Sequence, residues 1–405
     1  MNGPAHRDPG DRMSARTAEP ADVDARMSWS AVAEPADAVA GWLVQTLGAA
    51  GAWEWLRGAI SDPVAATMRL VERAAPADVD AAVASVARWA PRVDGAEPAD
   101  LRRRAAACGA RVVVPGDGDW PTSVDDLGLV APHALWVRGG GDPKALGAEG
   151  VAIVGARAST SYGDHVAAAI AADVVGAGRT VVSGGAFGID VTAHRAALAA
   201  DGRTIAVMAG GVDRLYPAGN AHILERVLER GVVVSEVPPG WAPHRSRFLT
   251  RNRLIACAGV TVVVEAAWRS GALSTATHAQ RLLRPVAAVP GPVTSASSAG
   301  CHRLVRDGQA VLVTNGQEVL ELVEPLDPSR ADSGDGDPGR LEFDRPEDRA
   351  VFDALGRRTV ERSELVAAAG VDAAAVRAAL GRLELAGLVE ARGLGWRRVR
   401  GVPLT

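Results

Sequence analysis

The distribution of apolar and polar residues divides the chain into stretches of different texture. Residues 1–35 are polar, contain prolines and show neither a helical nor a strand period, which predicts a disordered tail. Residues 36–109 lack β-branched runs and carry apolar positions at helical spacing. The helices predicted there span residues 36–56, 63–74, 78–89 and 98–108. We therefore expect a small helical domain behind the tail.

From residue 110 onward, short apolar runs rich in β-branched residues alternate with helical stretches. The runs do not alternate strictly between apolar and polar residues, so they predict strands buried on both faces, as in a parallel sheet. The predicted strands span residues 151–154, 180–183, 204–207, 232–235, 260–264 and 285–289. This rhythm predicts a doubly wound, mostly parallel α/β domain over residues 110–324.

The last part of the chain has a third texture. Residues 325–346 are acidic and rich in Pro, Gly and Ser, which predicts a flexible linker. Residues 347–405 predict a compact winged-helix domain made of three helices and a hairpin. The helices are expected at 347–355, 361–369 and 372–386, and the hairpin within 388–399.

Composition limits the class of protein. The 405 residues carry a formal net charge of −4, so DNA binding would require a local basic patch. Cys108, Cys257 and Cys301 are far apart and predict neither a disulfide framework nor a metal site, which suits a reducing cytoplasm. No targeting segment is visible, and no apolar run approaches the ~18 residues of a membrane span. We expect a cytoplasmic protein without membrane, metal or cofactor.

Glycine-containing turns follow three of the predicted strands. Residues 155–160 include Gly155 and Arg157, residues 183–188 include three glycines, and Ser270 and Gly271 follow the strand at 260–264. A strand that ends in such a turn and leads into a helix directs backbone N–H groups and the helix dipole at an anion. The turns predict a phosphate-binding groove at the carboxyl edge of the sheet, the alternative being ordinary tight turns with a surface arginine.

Other polar residues leave alternatives open. Asp190 and His194 are spaced to share one helix face, either as a catalytic or metal pair or, as we favour, in a structural hydrogen bond that holds the loop. Arg251, Asn252 and Arg253 suit phosphate and sugar contacts, or a solvated charged face. Glu265 could be a general base, but no nucleophile–base–orienter triad is readable around it, so we expect no catalysis.

These motifs follow one another in a fixed order. They are Gly-Ala-Arg at 155–157, Ser-Gly-Gly-Ala-Phe-Gly-Ile-Asp at 183–190, Thr-Ile-Ala-Val at 204–207, Tyr-Pro at 216–217, Arg-Asn-Arg at 251–253, Glu-Ala-Ala-Trp-Arg-Ser-Gly-Ala-Leu-Ser-Thr-Ala at 265–276 and Val-Pro-Gly at 289–291. In order and spacing, residues 111–323 resemble the DNA-processing protein A (DprA/Smf) family. The resemblance implies an extended Rossmann-like domain flanked by an N-terminal SAM- or helix-hairpin-helix-like module and a C-terminal winged helix.

The resemblance also implies site residues and partners. The groove residues carried over are Arg157, Ser183, Gly184, Arg251, Asn252, Arg253, Ser270 and Gly271, beside Gly155 of the first turn. Phe187 stands where the family usually has a basic residue, and a base could stack on it instead. A second departure is His302 and the two residues before it, where the family prefers an asparagine. In the hairpin, Arg392, Arg397 and Arg398 could touch DNA, or the wing could serve protein contact or solubility.

The function implied is non-catalytic. A homodimer would bind single-stranded DNA without strong sequence preference, protect it and help load RecA during DNA uptake, natural transformation and recombination. Two alternatives belong to other classes. One is a nucleotide-processing enzyme of a related Rossmann-like family, and the other is a transcription regulator led by the winged helix.

Overall fold

The computed structural model describes residues 19–323, 345–355, 359–385, 387–392 and 395–399. The chain forms two compact units, residues 1–324 and residues 325–405, which are described separately below. Most of the predicted linker at 325–346 lies outside the described residues, and its last residue, Pro346, begins a helix. Among the described residues, no helix is both long enough and apolar enough to span a bilayer.

Five helices open the first unit. They are α1 (Pro20–Val32), α2 (Ala38–Ser61), α3 (Pro63–Val71), α4 (Pro76–Val93) and α5 (Pro98–Ala107). All except α2 begin with proline in the first turn, where the missing N–H costs no hydrogen bond. Helix α2 is capped by Asp37, whose carboxylate accepts hydrogen bonds from two backbone amides. Tryptophans form the centre of this region, with Trp29 and Trp89 packed edge to face at 5.3 Å.

Helix α1 corrects the prediction of a disordered tail over residues 1–35. Its side chains Met27 and Trp29 are fully buried. The proline and aspartate that suggested disorder act here as helix-start residues, because Pro20 occupies the first turn and Asp22 lies beside the helix N-terminus. Residues 1–18 of the predicted tail lie outside the described residues.

A nine-stranded sheet forms the rest of the first unit. Its strands are β1 (Ala110–Val113), β2 (Leu135–Arg138), β3 (Gly150–Val154), β4 (Thr180–Ser183), β5 (Thr204–Met208), β6 (Val232–Ser235), β7 (Val260–Val263), β8 (Val286–Ala288) and β9 (Val311–Leu312). The order across the sheet is β1-β2-β6-β5-β4-β3-β7-β8-β9. All six predicted strands are confirmed, and they pair in parallel as expected from runs buried on both faces.

The sequence pattern missed β1 and β2, which add an antiparallel edge next to β6. It also missed the short parallel strand β9 at the other edge. Each of these three strands has only two to four residues.

Seven helices connect and cover the strands. They are α6 (Ser161–Gly176), α7 (Ile189–Ala199), α8 (Ala221–Arg230), α9 (Arg245–Ile255), α10 (Ala272–Arg281), α11 (Ala299–Arg306) and α12 (Gly316–Glu321). From β3 the chain moves through β4, β5 and β6 to one side, whereas β7, β8 and β9 lie on the other side. The strand order therefore reverses between β3 and β7, and the carboxyl ends of these two strands meet at a topological switch point.

The helical region and the sheet share one core. Trp136 of β2 donates its indole N–H to the Ser30 hydroxyl of α1 at 3.2 Å. Gly41 of α2 lies so close to Leu129 that a Cβ there would stand 1.9 Å from the Leu129 carbonyl oxygen. The predicted boundary near residue 109 therefore does not interrupt the packing.

The second unit has the winged-helix architecture expected from the sequence. Its helices are α13 (Pro346–Ala354), α14 (Arg362–Ala369) and α15 (Ala373–Leu385). The strands β10 (Val360–Glu361), β11 (Val389–Arg392) and β12 (Gly395–Arg398) form an antiparallel sheet in the order β10-β12-β11. Phe352, Leu365 and Leu380 lie buried at its centre.

Candidate nucleic-acid interface

A cavity of about 530 Å³ opens at the switch point. Its lining residues are 154–158 at the end of β3, 186 and 190 after β4, 248, 249, 251, 252 and 255 of α9, 267, 269–272 and 275 after β7, and 296–297. We call this cavity the switch-point pocket. Its position at the carboxyl edge of the sheet is the one that the glycine-containing turns predicted.

The turn after β3, residues 155–160, faces the switch-point pocket, and we call it the open turn. The backbone amides of residues 156–159 donate to no acceptor within residues 19–323. Gly155 is needed because a Cβ there would lie 2.6 Å from the Ile189 side chain. Thr160 caps α6, since its hydroxyl accepts from the Gly163 amide at 3.2 Å. The open turn thus keeps amides available for a ligand beside a helix N-terminus.

Glu265 holds the open turn in place. Its carboxylate accepts from the Thr160 amide at 2.9 Å, from the Thr160 hydroxyl at 2.7 Å and from the Ser297 hydroxyl at 3.1 Å. The side chain is only 2% exposed. These contacts explain Glu265 as a brace between the ends of β3 and β7, so the general-base interpretation finds no support.

Two arginines supply accessible charge. Arg157 on the open turn and Arg269 after β7 are both exposed and line the pocket. Neither has a carboxylate within ion-pair distance in the part of the first unit that the structure describes. The Arg157 guanidinium lies 5.3 Å from the centre of the Phe248 ring, which holds it over the pocket wall. Ser270 and Gly271 line the pocket beside Arg269, as predicted.

The turn after β4, residues 183–188, differs, and we call it the closed turn. The Asp190 carboxylate accepts from the Gly184 amide at 3.2 Å and from the Ala186 amide at 3.4 Å. Ser183 is fully buried and donates to the Ile153 carbonyl at 2.6 Å. The chain's own groups therefore already bind the Ser183 hydroxyl and the Gly184 amide, and a phosphate contact of these two residues stays a prediction.

Asp190 and His194 play separate structural roles. Burial raises the pKa of Asp190, and the neighbouring Arg251 opposes that shift. His194 makes no bond to Asp190, and its Nδ1 shares a hydrogen bond of 2.7 Å with the Thr204 hydroxyl. Burial lowers the pKa of His194 to about 3. Asp190 thus holds the loop as favoured, and no group of potential metal ligands occurs among the described residues.

Arg251 and Asn252 form part of the wall of the switch-point pocket. Arg251 is 7% exposed and donates to the Gly184 carbonyl at 2.7 Å and to the Val207 carbonyl. Burial lowers the pKa of Arg251 to about 10, a shift that Asp190 opposes. The Asn252 amide donates to the Gly271 carbonyl at 3.3 Å. These two residues line the pocket as predicted, and their polar groups chiefly join its walls.

Arg253 lies elsewhere, which corrects its prediction as a groove residue. Its guanidinium forms two hydrogen bonds to the Glu236 carboxylate, at 2.7 and 2.6 Å, and also donates to the Val130 carbonyl. Residues two apart on a helix point to nearly opposite sides, so Arg251 and Arg253 of α9 cannot share one pocket. Arg253 is 2% exposed and stabilises the packing of α9.

Phe187 of the closed turn is 50% exposed but does not line the switch-point pocket. Its ring lies against Gly219, where a Cβ would be 3.0 Å away. Conversely, the sequence reasoning did not select Phe248 and Arg269 as site residues. Phe248 precedes Arg251 by three residues and so shares its helix face, and Arg269 directly precedes Ser270. Those spacings were the signals that could have identified both.

The remaining predicted residues also have structural partners. His302 shares a hydrogen bond of 3.0 Å with the Gly291 carbonyl. In the second unit, Arg392 and Arg397 both pair with Glu390. Arg398 is 8% exposed, stacks on Phe352 at 4.0 Å and donates to its carbonyl. The Arg398 side chain therefore belongs to the core of the wing, and its contact with DNA stays a prediction.

Comparison with known proteins shows which family the chain resembles. Residues 111–324 match the family described as DNA recombination-mediator protein A, and residues 338–393 match the DprA winged helix domain. A relative from Mycobacterium tuberculosis, named putative DNA processing protein DprA, is 45% identical over 305 residues, which cover 72% of this chain and 78% of the relative.

A sequence and a structure from Streptococcus pneumoniae agree with this match. DNA processing protein DprA of that organism is 41% identical over 200 residues, covering 48% of this chain and 68% of the relative. An X-ray structure of DprA from Streptococcus pneumoniae superposes with a TM-score of 0.57 at 27% identity, covering 75% of this chain and 98% of that one. With both its α/β domain and its winged helix matched in sequence, the chain belongs to the DprA (Smf) family of DNA-processing proteins.

Proposed function

We propose that this chain binds single-stranded DNA in the switch-point pocket without strong sequence preference, protects the strand and helps load RecA onto it. This activity would serve DNA uptake, natural transformation and recombination, with the chain acting as a homodimer and without catalysis. The family description as a recombination mediator supports the proposal.

The observation that carries the proposal is the accessible cation of the open turn. Arg157 faces the pocket beside the amides of residues 156–159, for which no acceptor is found within residues 19–323. A guanidinium and a row of N–H groups next to a helix N-terminus form a site for a phosphodiester oxygen. Arg269 on the facing wall offers a second charge to a neighbouring phosphate.

The shape of the pocket favours a single strand. Duplex DNA is stiff, with a persistence length of about 50 nm, whereas a single strand can bend its backbone into a crevice. The walls are rich in Gly, Ala and Ser, and the Asn252 amide group is already bonded to Gly271. Few side chains are left to read base edges, so phosphate contacts dominate and sequence preference is weak.

The alternatives have less support. A nucleotide-processing enzyme would need a general base, but the Glu265 carboxylate is engaged by Thr160 and Ser297, and that of Asp190 by two backbone amides. Release of free base from nucleoside monophosphates by the purified chain would revive that alternative. A regulator led by the winged helix would need a basic wing, yet Arg392 and Arg397 share Glu390.

Binding of labelled oligonucleotides tests the proposal. We expect Arg157→Glu to weaken binding to oligo-dT and to mixed-sequence single strands alike, by at least about tenfold, because one phosphate contact becomes a repulsion. Arg157→Ala should lower the slope of log K against log salt by about 0.7. The matched control is Arg203→Glu, an exposed arginine at the amino end of β5 and hence at the opposite edge of the sheet.

Wild-type affinity in Arg157→Glu, or an equal loss in Arg203→Glu, would contradict the proposed site. RecA filament formation on the same oligonucleotides, with and without the chain, tests the loading step. We expect the wild type to accelerate it and Arg157→Glu to do so much less.

A further inference from the structure

We propose that Trp268, supported by Arg303, is a base-stacking platform over which single-stranded DNA leaves the switch-point pocket. This inference rests on the proposed function and adds a direction to it. The strand would run from the pocket toward helix α11, on the β7 side of the switch point.

The position of Trp268 next to the pocket is the first observation. Its two neighbours, Ala267 and Arg269, both line the pocket, whereas Trp268 does not. The indole therefore lies just outside the rim, one residue away from the exposed guanidinium of Arg269. A nucleotide whose phosphate contacts Arg269 would place its base, or the next one, within reach of this ring.

The exposure of Trp268 is unusual for this chain. The sequence has ten tryptophans, and Trp268 alone among them is exposed in the structure, with 52% of its surface accessible. Others, such as Trp29, Trp89 and Trp136, form the core at 0–1% exposure. Leaving a large apolar ring in water is unfavourable, so its position beside a basic pocket points to a ligand with an apolar face.

A supporting cation holds the ring. The guanidinium carbon of Arg303 on α11 lies 4.7 Å from the Trp268 ring centre. A cation stacked on an indole restrains the ring, and the exposed half of the Trp268 surface is available to a planar partner. Arg303 has no carboxylate within ion-pair distance in residues 19–323, so its charge also remains available to the DNA backbone.

The backbone beneath Trp268 is anchored to the same helix. The Gly300 amide donates to the Ala266 carbonyl at 2.7 Å. A Cβ at Gly300 would lie 2.6 Å from that oxygen and 2.9 Å from the Ala267 carbonyl oxygen, so the start of α11 packs directly on the loop. Because loop and helix are joined at this point, the indole and Arg303 are held in position before a ligand arrives, and a stacked base has less disorder to remove.

A nucleobase is the occupant that fits these features. Every base has an apolar π-face, so stacking on Trp268 gives affinity without sequence preference, in keeping with the pocket. Three other aromatic rings are exposed within residues 19–323, those of Tyr162, Phe187 and Tyr216, and none of them carries a cation on its ring. Two cation–ring pairs lie at the pocket within residues 19–323, Arg157 with Phe248 and Arg303 with Trp268. Of these two rings, only Trp268 is exposed.

The test uses the full chain and oligo-dT of two lengths, about 4 and about 16 nucleotides, the range of single-strand site sizes. We expect Trp268→Ala to weaken binding of the long oligonucleotide by roughly tenfold and that of the short one by less than about twofold, because only the long strand leaves the pocket. Trp268→Phe should restore most of the affinity. Arg303→Gln should give an intermediate loss.

Leu283→Ala is the matched control, since Leu283 is 92% exposed at the far end of α10. Long oligo-dT should also quench tryptophan fluorescence in the wild type, and Trp268→Phe should remove most of that change. Equal affinity of Trp268→Ala and wild type for the long strand, with both binding, would overturn the platform alone. Failure of the wild type to bind either length would overturn the proposed function, and the platform with it.

Discussion

In the sequence, the open turn and the closed turn predict the same kind of anion-binding site, but in the structure their backbone amides are used differently. Each joins a buried parallel strand to a helix, and each contains glycine at its start. In the closed turn, two amides donate to Asp190 and the space beside Gly184 is filled by the Arg251 guanidinium. In the open turn, the amides of residues 156–159 find no acceptor within residues 19–323, and Arg157 faces the pocket.

The difference shows what makes an amide-rich turn a binding site. Backbone N–H groups at a helix N-terminus attract any carboxylate within reach. A carboxylate of the same chain binds in preference to an external anion because it loses little entropy on binding. Asp190 lies in the first turn of α7 and performs this role. In α6 the corresponding acidic residue, Asp164, accepts instead from the hydroxyls of Ser159 and Thr192. Asp164 and Glu265 thus hold the end of the open turn through the Ser159 hydroxyl and the Thr160 amide, and the amides of residues 156–159 stay available to an external anion.

The largest expected effect is at Gly188, where the two turns touch. Gly188 has φ +76°, and a Cβ would lie 2.2 Å from the Ala156 carbonyl oxygen of the open turn. We expect Gly188→Ala to lower the free energy of unfolding by about 3 kcal/mol or more, because it adds backbone strain to a clash with the main chain. Urea unfolding measures this, with Gly271→Ala as control. Nothing lies within 4 Å of a Cβ at Gly271, so that variant should change stability by less than about 0.5 kcal/mol. Similar losses in the two variants would contradict the tight contact between the turns.

The next effect is the removal of the carboxylate that closes its turn. Asp190→Ala leaves the Gly184 and Ala186 amides without an acceptor and Arg251 without its nearby counter-charge. We expect a loss of about 2–3 kcal/mol in the free energy of unfolding. Asp190→Asn keeps an acceptor oxygen and should lose less. If Asp190→Ala unfolds at the wild-type urea concentration, the closed turn is not held by this residue.

The smallest expected effect is a dependence of the free energy of unfolding on pH. His194 of α7 has its pKa lowered to about 3 by burial, whereas the unfolded chain titrates near 6.5. A folded-state pKa below the unfolded value means that the contribution is complete above pH 6.5 and is lost as the pH falls toward 3. Between pH 7 and pH 5 the wild type should lose about 2 kcal/mol through this group.

Unfolding measured at pH 7 and pH 5 for the wild type and His194→Gln tests the contribution of His194. The loss between the two pH values should be shallower in His194→Gln. The buried His133, whose pKa is lowered to about 4, contributes equally to both proteins and cancels in the difference. Identical pH dependence in the two proteins would mean that burial does not lower the pKa of His194.

Local sequence determined a large part of this protein. Runs such as 180–183 and 232–235 matched strands residue for residue, because a strand buried on both faces needs consecutive apolar side chains. The glycine-containing turns predicted the correct edge of the sheet, since parallel strands end together. Helix α1 was missed because its few apolar residues lie among the Pro and Asp residues that start it.

Only the tertiary structure decided which polar groups remain free to bind. Arg251 and Arg253 read alike in the sequence, yet the first reaches Gly184 of the closed turn and the second pairs with Glu236. Ser183 and Arg398 are buried by partners 30 and 46 residues away. A residue's own neighbours set its secondary structure, but its availability depends on whether a distant part of the chain supplies a hydrogen-bond partner, and folding alone brings those parts together.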